Sequence, residues 1–193
     1  VCLGFRAGVP LLEVKLTIDD EKYLPLRDKY ENILRSLLGS FIVGENDISL
    51  SGVIVNSLYH ENKKLTLAES CTGGMIASQI TSIDGSSKVF EAGFVCYSNK
   101  MKRAILSVDN NLLINYGAVS NEVVTAMANG ALSKTKSDYV IAVSGIAGPS
   151  GGSLEKPVGT VWIAWGNDDE LLSQKFFYPV GRKIFQLVIS ALC

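Results

Sequence analysis

Leu12, Val14, Leu16 and Ile18 alternate with Glu13, Lys15 and Thr17, and this period of two predicts a half-buried strand over residues 12–18. A helix is expected next, over residues 24–38. Gly39 and the cluster Gly44-Glu45-Asn46-Asp47 then read as a turn and a boundary, after which Ser49 can cap a helix carrying Leu50, Val53, Ile54 and Leu58. Residues 65–68 form a short apolar run that leads into Glu69-Ser70-Cys71-Thr72-Gly73-Gly74 and a helix-like spacing of Met75, Ile76 and Ile80. That is the pattern of strand, tight turn and helix. Residues 90–97 predict a buried strand and residues 101–106 a short helix. Ser120 can cap a helix running to about Lys134, where Val123, Val124, Met127 and Leu132 form an apolar stripe. A strand over 139–143, a glycine-dense loop over 145–159 and two strands over 160–165 and 171–178 follow. Gly166-Asn167-Asp168-Asp169 between the last two suits a hairpin. A final helix starts near Arg182. Strands alternating with helices predict an α/β fold: a three-layer domain over residues 47–193, with a mixed sheet flanked by helices. Residues 1–46 form a small α+β remnant whose strand needs a partner.

Composition narrows the class. With 193 residues, 47% hydrophobic and 19% charged, the chain suits one well-packed domain with a small appendage, and no apolar run approaches the ~20 residues of a membrane helix. No membrane association is expected. The net charge of −1 lacks the basic field that nucleic-acid binding relies on, and Gly4 and Gly8 are wrongly spaced for a GXXG loop. Cys2, Cys71, Cys96 and Cys193 show no CxxC spacing and no secretory signal is expected, so neither a zinc site nor a disulfide framework is predicted. A cytoplasmic location fits best. The first residue is Val1, which suits a piece of a longer protein.

His60 is the only histidine, at the expected end of the helix from Ser49, where a surface or dipole-satisfying role suits it. A Ser-His-Asp triad would need it brought across a strand, and a histidine-rich metal site is excluded by count. No metal is expected, and any nucleophile must use another base. Lysine serves when desolvation or a cationic neighbour lowers its pKa until the neutral amine accepts a proton. Lys100, Lys102 and Arg103 follow the strand that ends near Tyr97, and strand ends gather on one edge of an α/β sheet, so Ser70, Tyr97 and Lys102 could meet there. Cys71 competes with Ser70, because a helix N-terminus lowers a thiol pKa. Adjacent side chains around a tight turn rarely face one ligand, so one of the two belongs in the site. The first N–H groups of the new helix are expected to be unpaired and open to an anion or oxyanion.

A second glycine region, residues 144–152, fits neither the Walker A nor the Rossmann spacing. Ser144, bare N–H groups and Lys156 could hold a phosphate there, with an ordinary flexible loop as the other reading.

Four blocks in order, AESCTGG (residues 68–74), DGSSKVFEAGFVCYSNKMK (84–102), GAVS (117–120) and SGIAGPSGGSLEKPVGTVWIA (144–164), make residues 49–193 resemble the CinA family. The resemblance is to its C-terminal domain, the nicotinamide-nucleotide amidase also found as a stand-alone enzyme. Residues before Ser49 resemble the tail of the KH-like middle domain of full-length CinA proteins. The resemblance implies hydrolysis of the amide of nicotinamide mononucleotide to nicotinate mononucleotide and ammonia, with no cofactor. Carried over by motif, Ser70 would be the nucleophile or would position water, and Lys102 with Tyr97 would manage its proton. N–H groups of Thr72, Gly73 and Gly74 would stabilise an oxyanion. Ser144, Gly145, Gly148, Gly151, Gly152 and Lys156 would contact ribose or phosphate. Arg182 carries over from a C-terminal segment in which Gln186 stands near the place of a second arginine. The partner implied is a small pyridine nucleotide. A homodimer is also expected, from the apolar content and the unpartnered strand. Two other classes are a nucleotide-binding or regulatory module of a competence/damage-inducible-type protein without turnover, and a nucleic-acid adaptor acting through the KH-like remnant.

Overall fold

The computed structural model describes residues 1–8, 11–46 and 48–193. Contacts divide the chain into two units, Val1–Val53 and Ile54–Cys193, the division falling within helix α2 (Leu50–His60). In the first unit, β1 (Cys2–Ala7) and β2 (Leu12–Thr17) form an antiparallel hairpin, followed by α1 (Pro25–Leu38). Leu3 lies opposite Leu16, Phe5 opposite Val14 and Ala7 opposite Leu12, so one hairpin face is apolar. The expected strand at residues 12–18 therefore has its partner in the preceding segment, where Gly4 interrupts the strand signal. Of the expected turn at residues 44–47, Asp47 lies outside the described residues. Ser49 caps α2, its hydroxyl accepting the Gly52 N–H at 3.1 Å.

The second unit is built on a five-stranded sheet in the order β4 (Phe90–Val95), β3 (Leu65–Glu69), β5 (Tyr139–Gly145), β6 (Thr160–Gly166), β7 (Leu171–Phe177). β3 pairs in parallel with β4 and β5, whereas β6 and β7 run antiparallel. α3 (Met75–Thr81), α7 (Arg182–Leu192) and the end of α2 pack on one face through Val55, Leu58, Ile76, Ile80, Phe185 and Ile189. α4 (Asn99–Leu106), α5 (Asn110–Tyr116) and α6 (Asn121–Thr135) pack on the other. This is the three-layer mixed-sheet architecture. β3 is buried along its whole length because both its edges are paired and both its faces covered. β4 differs from expectation: it is an edge strand, alternating half-buried and exposed residues, because only β3 pairs with it.

Register explains how close α6 can come. Ala68, Ala142 and Ala164 stand side by side on the three central strands, and all are fully buried beside Ala128 and Ala131 of α6. Small side chains on both partners let the helix sit low on the sheet. Among the described residues, no helix is long and apolar enough to cross a membrane.

Candidate active site

The alternation of β3 continues into the turn that follows it. Leu65, Leu67 and Cys71 pack on the α3/α7 side, whereas Ala68 packs under α6 and Ser70 meets α4. Ser70 and Cys71 thus face opposite layers, and only Ser70 approaches the lysine. Ser98 caps α4 by accepting the Met101 N–H at 3.2 Å. That cap starts the helix so that Lys102, in its first turn, points back toward the strand ends.

Lys102 is 1% exposed, and its Nζ lies 2.9 Å from Ser70 Oγ, 2.9 Å from Cys96 O and 3.2 Å from Tyr97 O. Burial pushes its pKa below the ordinary 10.5. The opposing influence would be thiolate charge on Cys96 and Cys71, but burial raises both thiols, Cys71 to about 12, and holds them neutral at pH 7. Desolvation therefore decides the direction. A neutral amine has two N–H donors and one lone pair, and its surroundings offer two carbonyl acceptors and one hydroxyl donor. The raised Cys71 value also removes the expectation that a helix N-terminus would activate this thiol, because its side chain is buried in the apolar layer.

Glu69, one residue before Ser70, is fully buried. Its Oε2 accepts the Thr72 hydroxyl at 2.6 Å, the Gly74 N–H at 3.0 Å and the Ile76 N–H at 3.2 Å, and its Oε1 accepts the Ala77 N–H at 2.8 Å. The turn also closes on itself, with the Gly73 N–H donating to Ser70 O at 3.2 Å and the Met75 N–H to Thr72 O at 3.3 Å. These bonds correct the expectation of open N–H groups at the start of α3. Gly73 and Gly74 contribute left-handed backbone (φ +66° and +95°) and the turn's shape, while their N–H groups are already engaged. Of the three N–H groups expected to receive an oxyanion, those of Gly73 and Gly74 are engaged, which leaves that of Thr72, and it and the Cys71 N–H lie toward the Cys71 sulfur.

Tyr97 meets Lys102 through its main-chain carbonyl, while its phenol, on a side chain 59% exposed, accepts from Arg182 Nη2 at 3.0 Å. Arg182 Nη1 donates to Gly148 O at 3.0 Å, and Gln186 Nε2 donates to Cys71 O at 2.9 Å. Arg182 and Gln186 are four residues apart on α7, hence on one face of it. A continuous chain of contacts therefore joins the Ser70 turn, Lys102, Tyr97, Arg182 and the second glycine loop.

The rest of that loop is tied elsewhere. Ser144 is buried and donates to Ala118 O at 2.6 Å, so its proton is held inside the fold instead of facing a ligand. Lys156 Nζ donates to Tyr116 O and lines an open cavity of about 630 Å³ whose walls include none of Ser70, Tyr97, Lys102 or Arg182. A Cβ on Gly145 would meet Val161 at 2.9 Å, on Gly148 would meet Val158 at 2.5 Å, and on Gly152 would meet Val158 N at 2.7 Å. Close chain packing accounts for these glycines without a ligand. Gly151, by contrast, is exposed at φ +93°, and a Cβ there would make only an ordinary contact with Ile146 Cγ2 at 4.0 Å. His60 is exposed and stacks edge-on against Tyr59.

Sequence reasoning passed over Glu69 and the contact of Gln186. Two signals could have found them: a carboxylate closing a buried strand ahead of a Gly-Gly turn, and the i,i+4 spacing of Gln186 from Arg182.

The sequence model of the CinA C-terminal domain matches residues 47–191. A CinA-like protein of Colwellia psychrerythraea is 52% identical over 98% of this chain, and one of Akkermansia muciniphila is 46% identical over 81%. The chain covers 45% and 38% of those relatives' own lengths, so it spans less than half of each. Among solved structures, the competence/damage inducible protein CihA from Agrobacterium tumefaciens matches with a TM-score of 0.73 and 39% identity, over 77% of this chain and 92% of that one. The competence damage-inducible protein A from Klebsiella pneumoniae gives a TM-score of 0.73 at 31% identity, over the same shares.

Proposed function

The chain belongs to the CinA C-terminal domain family, and from that premise we propose that it hydrolyses the carboxamide of nicotinamide mononucleotide to nicotinate mononucleotide and ammonia. The observation that carries this reading is a desolvated Lys102 amine 2.9 Å from the Ser70 hydroxyl at the end of a central strand. In the proposed reaction Ser70 Oγ attacks the amide carbon while its proton passes to the Lys102 lone pair. The carbonyl oxygen gains negative charge that the Thr72 N–H would receive, a contribution of about 3 to 4 kcal/mol per donor in serine hydrolases. Lys102 then returns the proton to the departing nitrogen, which leaves as ammonia. Water next attacks the acyl-Ser70 ester with Lys102 again as base, releasing the carboxylate and restoring the hydroxyl. Arg182 and Tyr97 stand at the rim, where a cation and a phenol suit the phosphoribosyl half of the substrate.

The test is ammonia release from a panel of pyridine nucleotides carrying the amide. Wild-type protein should turn over nicotinamide mononucleotide, Ser70→Ala should lose at least about a thousandfold in rate, and Cys71→Ala should keep it within about threefold. No release from any nucleotide, or an undiminished rate in Ser70→Ala, rejects the proposal.

A further inference from the structure

The geometry points to Glu69 as the positioning residue of this site, a role that rests on the amide hydrolysis proposed above. Its carboxylate gathers donors from each side of the Gly73-Gly74 turn: the hydroxyl of Thr72 before it, and the N–H groups of Gly74, Ile76 and Ala77 within and after it. The main-chain oxygen of Glu69 also accepts the Cys96 N–H at 2.9 Å. Cys96 is one of the two residues whose carbonyls hold the Lys102 amine. One residue thus fixes both halves of the reacting pair, the Ser70 turn through its side chain and the Lys102 cradle through its main chain. Burial makes the arrangement stiff, because charge-assisted bonds shielded from water are stronger and less readily exchanged.

A carboxylate is the group these four donors require. A glutamine offers one acceptor oxygen and two N–H donors, so at least one of the protein's donors would face another donor. By taking up the N–H groups of Gly74, Ile76 and Ala77, Glu69 fixes the shape of the turn that carries Ser70. A shift of the turn by a fraction of an ångström would misalign Ser70 Oγ against the Lys102 amine, and such misplacement lowers turnover more than binding.

Two variants test this role. Glu69→Gln should lower kcat roughly a hundredfold with KM within about twofold. Thr72→Val keeps the backbone N–H and the side-chain volume but removes the bond at 2.6 Å; it should lower kcat about tenfold, and Thr72→Ser should restore it. The rate at which a fluorophosphonate modifies Ser70, read by mass spectrometry, should follow the same order and needs no substrate. Thr72→Val stands in if Glu69→Gln does not fold. Wild-type kcat in folded Glu69→Gln or Thr72→Val, a loss confined to KM, or a Thr72→Ser variant no better than Thr72→Val overturns the role. A wild-type protein that releases no ammonia while its probe rates keep the expected order overturns the substrate reading and leaves the positioning role standing. One that neither releases ammonia nor takes up the probe overturns both.

Discussion

An amine buried without charge compensation links stability to pH as well as serving chemistry, and at Lys102 the two effects share one cause. Desolvation lowers its pKa in the folded protein below 10.5, while the unfolded chain keeps the ordinary value. Between the two values the unfolded state binds a proton that the folded state does not, so stability rises with pH, by up to about 1.4 kcal/mol per pH unit. Above 10.5 both forms are neutral and the rise stops; below the folded value both are charged and the folded state carries the whole desolvation cost. Activity should follow the same deprotonation, with kcat/KM increasing as Lys102 loses its proton. Lys102→Met should remove this contribution. Urea unfolding at pH 8, 9 and 10, approaching 10.5 from below, should show stability climbing more steeply in wild type than in Lys102→Met, whose turnover should be lower by at least about a thousandfold. Other titrating groups are common to both proteins and cancel in the comparison. Parallel stability profiles would mean that burial does not lower the Lys102 pKa.

Lys102 reaches Ser70 only because α4 is seated close to α6, and one glycine permits that seat. A Cβ on Gly130 of α6 would lie 2.0 Å from Leu106 O and 2.8 Å from Leu106 C, backbone atoms that cannot swing aside. Leu106 is four residues after Lys102, on the same face of α4, so pushing its end outward also moves the amine. Gly130→Ala should destabilise the protein by about 1 to 3 kcal/mol through overpacking, despite alanine's better helix propensity, and should lower kcat about tenfold. Gly4→Ala in β1, where the new carbon would make only an ordinary contact with Lys15 Cβ at 3.8 Å, is the control and should leave both unchanged. Wild-type thermal stability and kcat in Gly130→Ala would show that α4 is not held by this contact. Elements of this size were legible wherever the apolar period ran long enough, as in α6 with Val123, Val124, Met127 and Leu132, or where turn chemistry marked the ends, as at the β6–β7 hairpin. α5 is only seven residues long and β1 carries Gly4 at its centre, and neither shows a readable period. The meeting of Ser70 and Lys102 was readable from the rule that strand ends gather. The carbonyls around Lys102 and the donors around Glu69 were not, because they depend on where main-chain groups point, which residue type does not encode.

At the scale of the whole molecule the two units differ in what sustains them. The sheet of the second unit has a buried apolar layer on each face, one under α3 and α7 and one under α6. Among the described residues up to position 46 none is buried, and Leu3, Phe5 and Leu12 on the apolar hairpin face are exposed. Apolar burial at about 25 cal/mol per Å² is what offsets the ordering entropy of a chain, and a segment that buries no side chain lacks that source. Residues 1–46 are therefore expected to add nothing to the cooperative unfolding of the rest. A chain of residues 47–193 retains Ser49, and with it the bond that caps α2, so the cut leaves the second unit's entry helix intact. Calorimetry should give a melting temperature for 47–193 within about 2 °C of the full chain, a shift that corresponds to well under 1 kcal/mol for a unit of this size. Ammonia release should likewise stay within about twofold. Residues 1–46 alone should show no cooperative transition. A fall of more than about 5 °C, or a clear loss of turnover, would mean that the hairpin and α1 contribute stabilisation that their exposure does not account for.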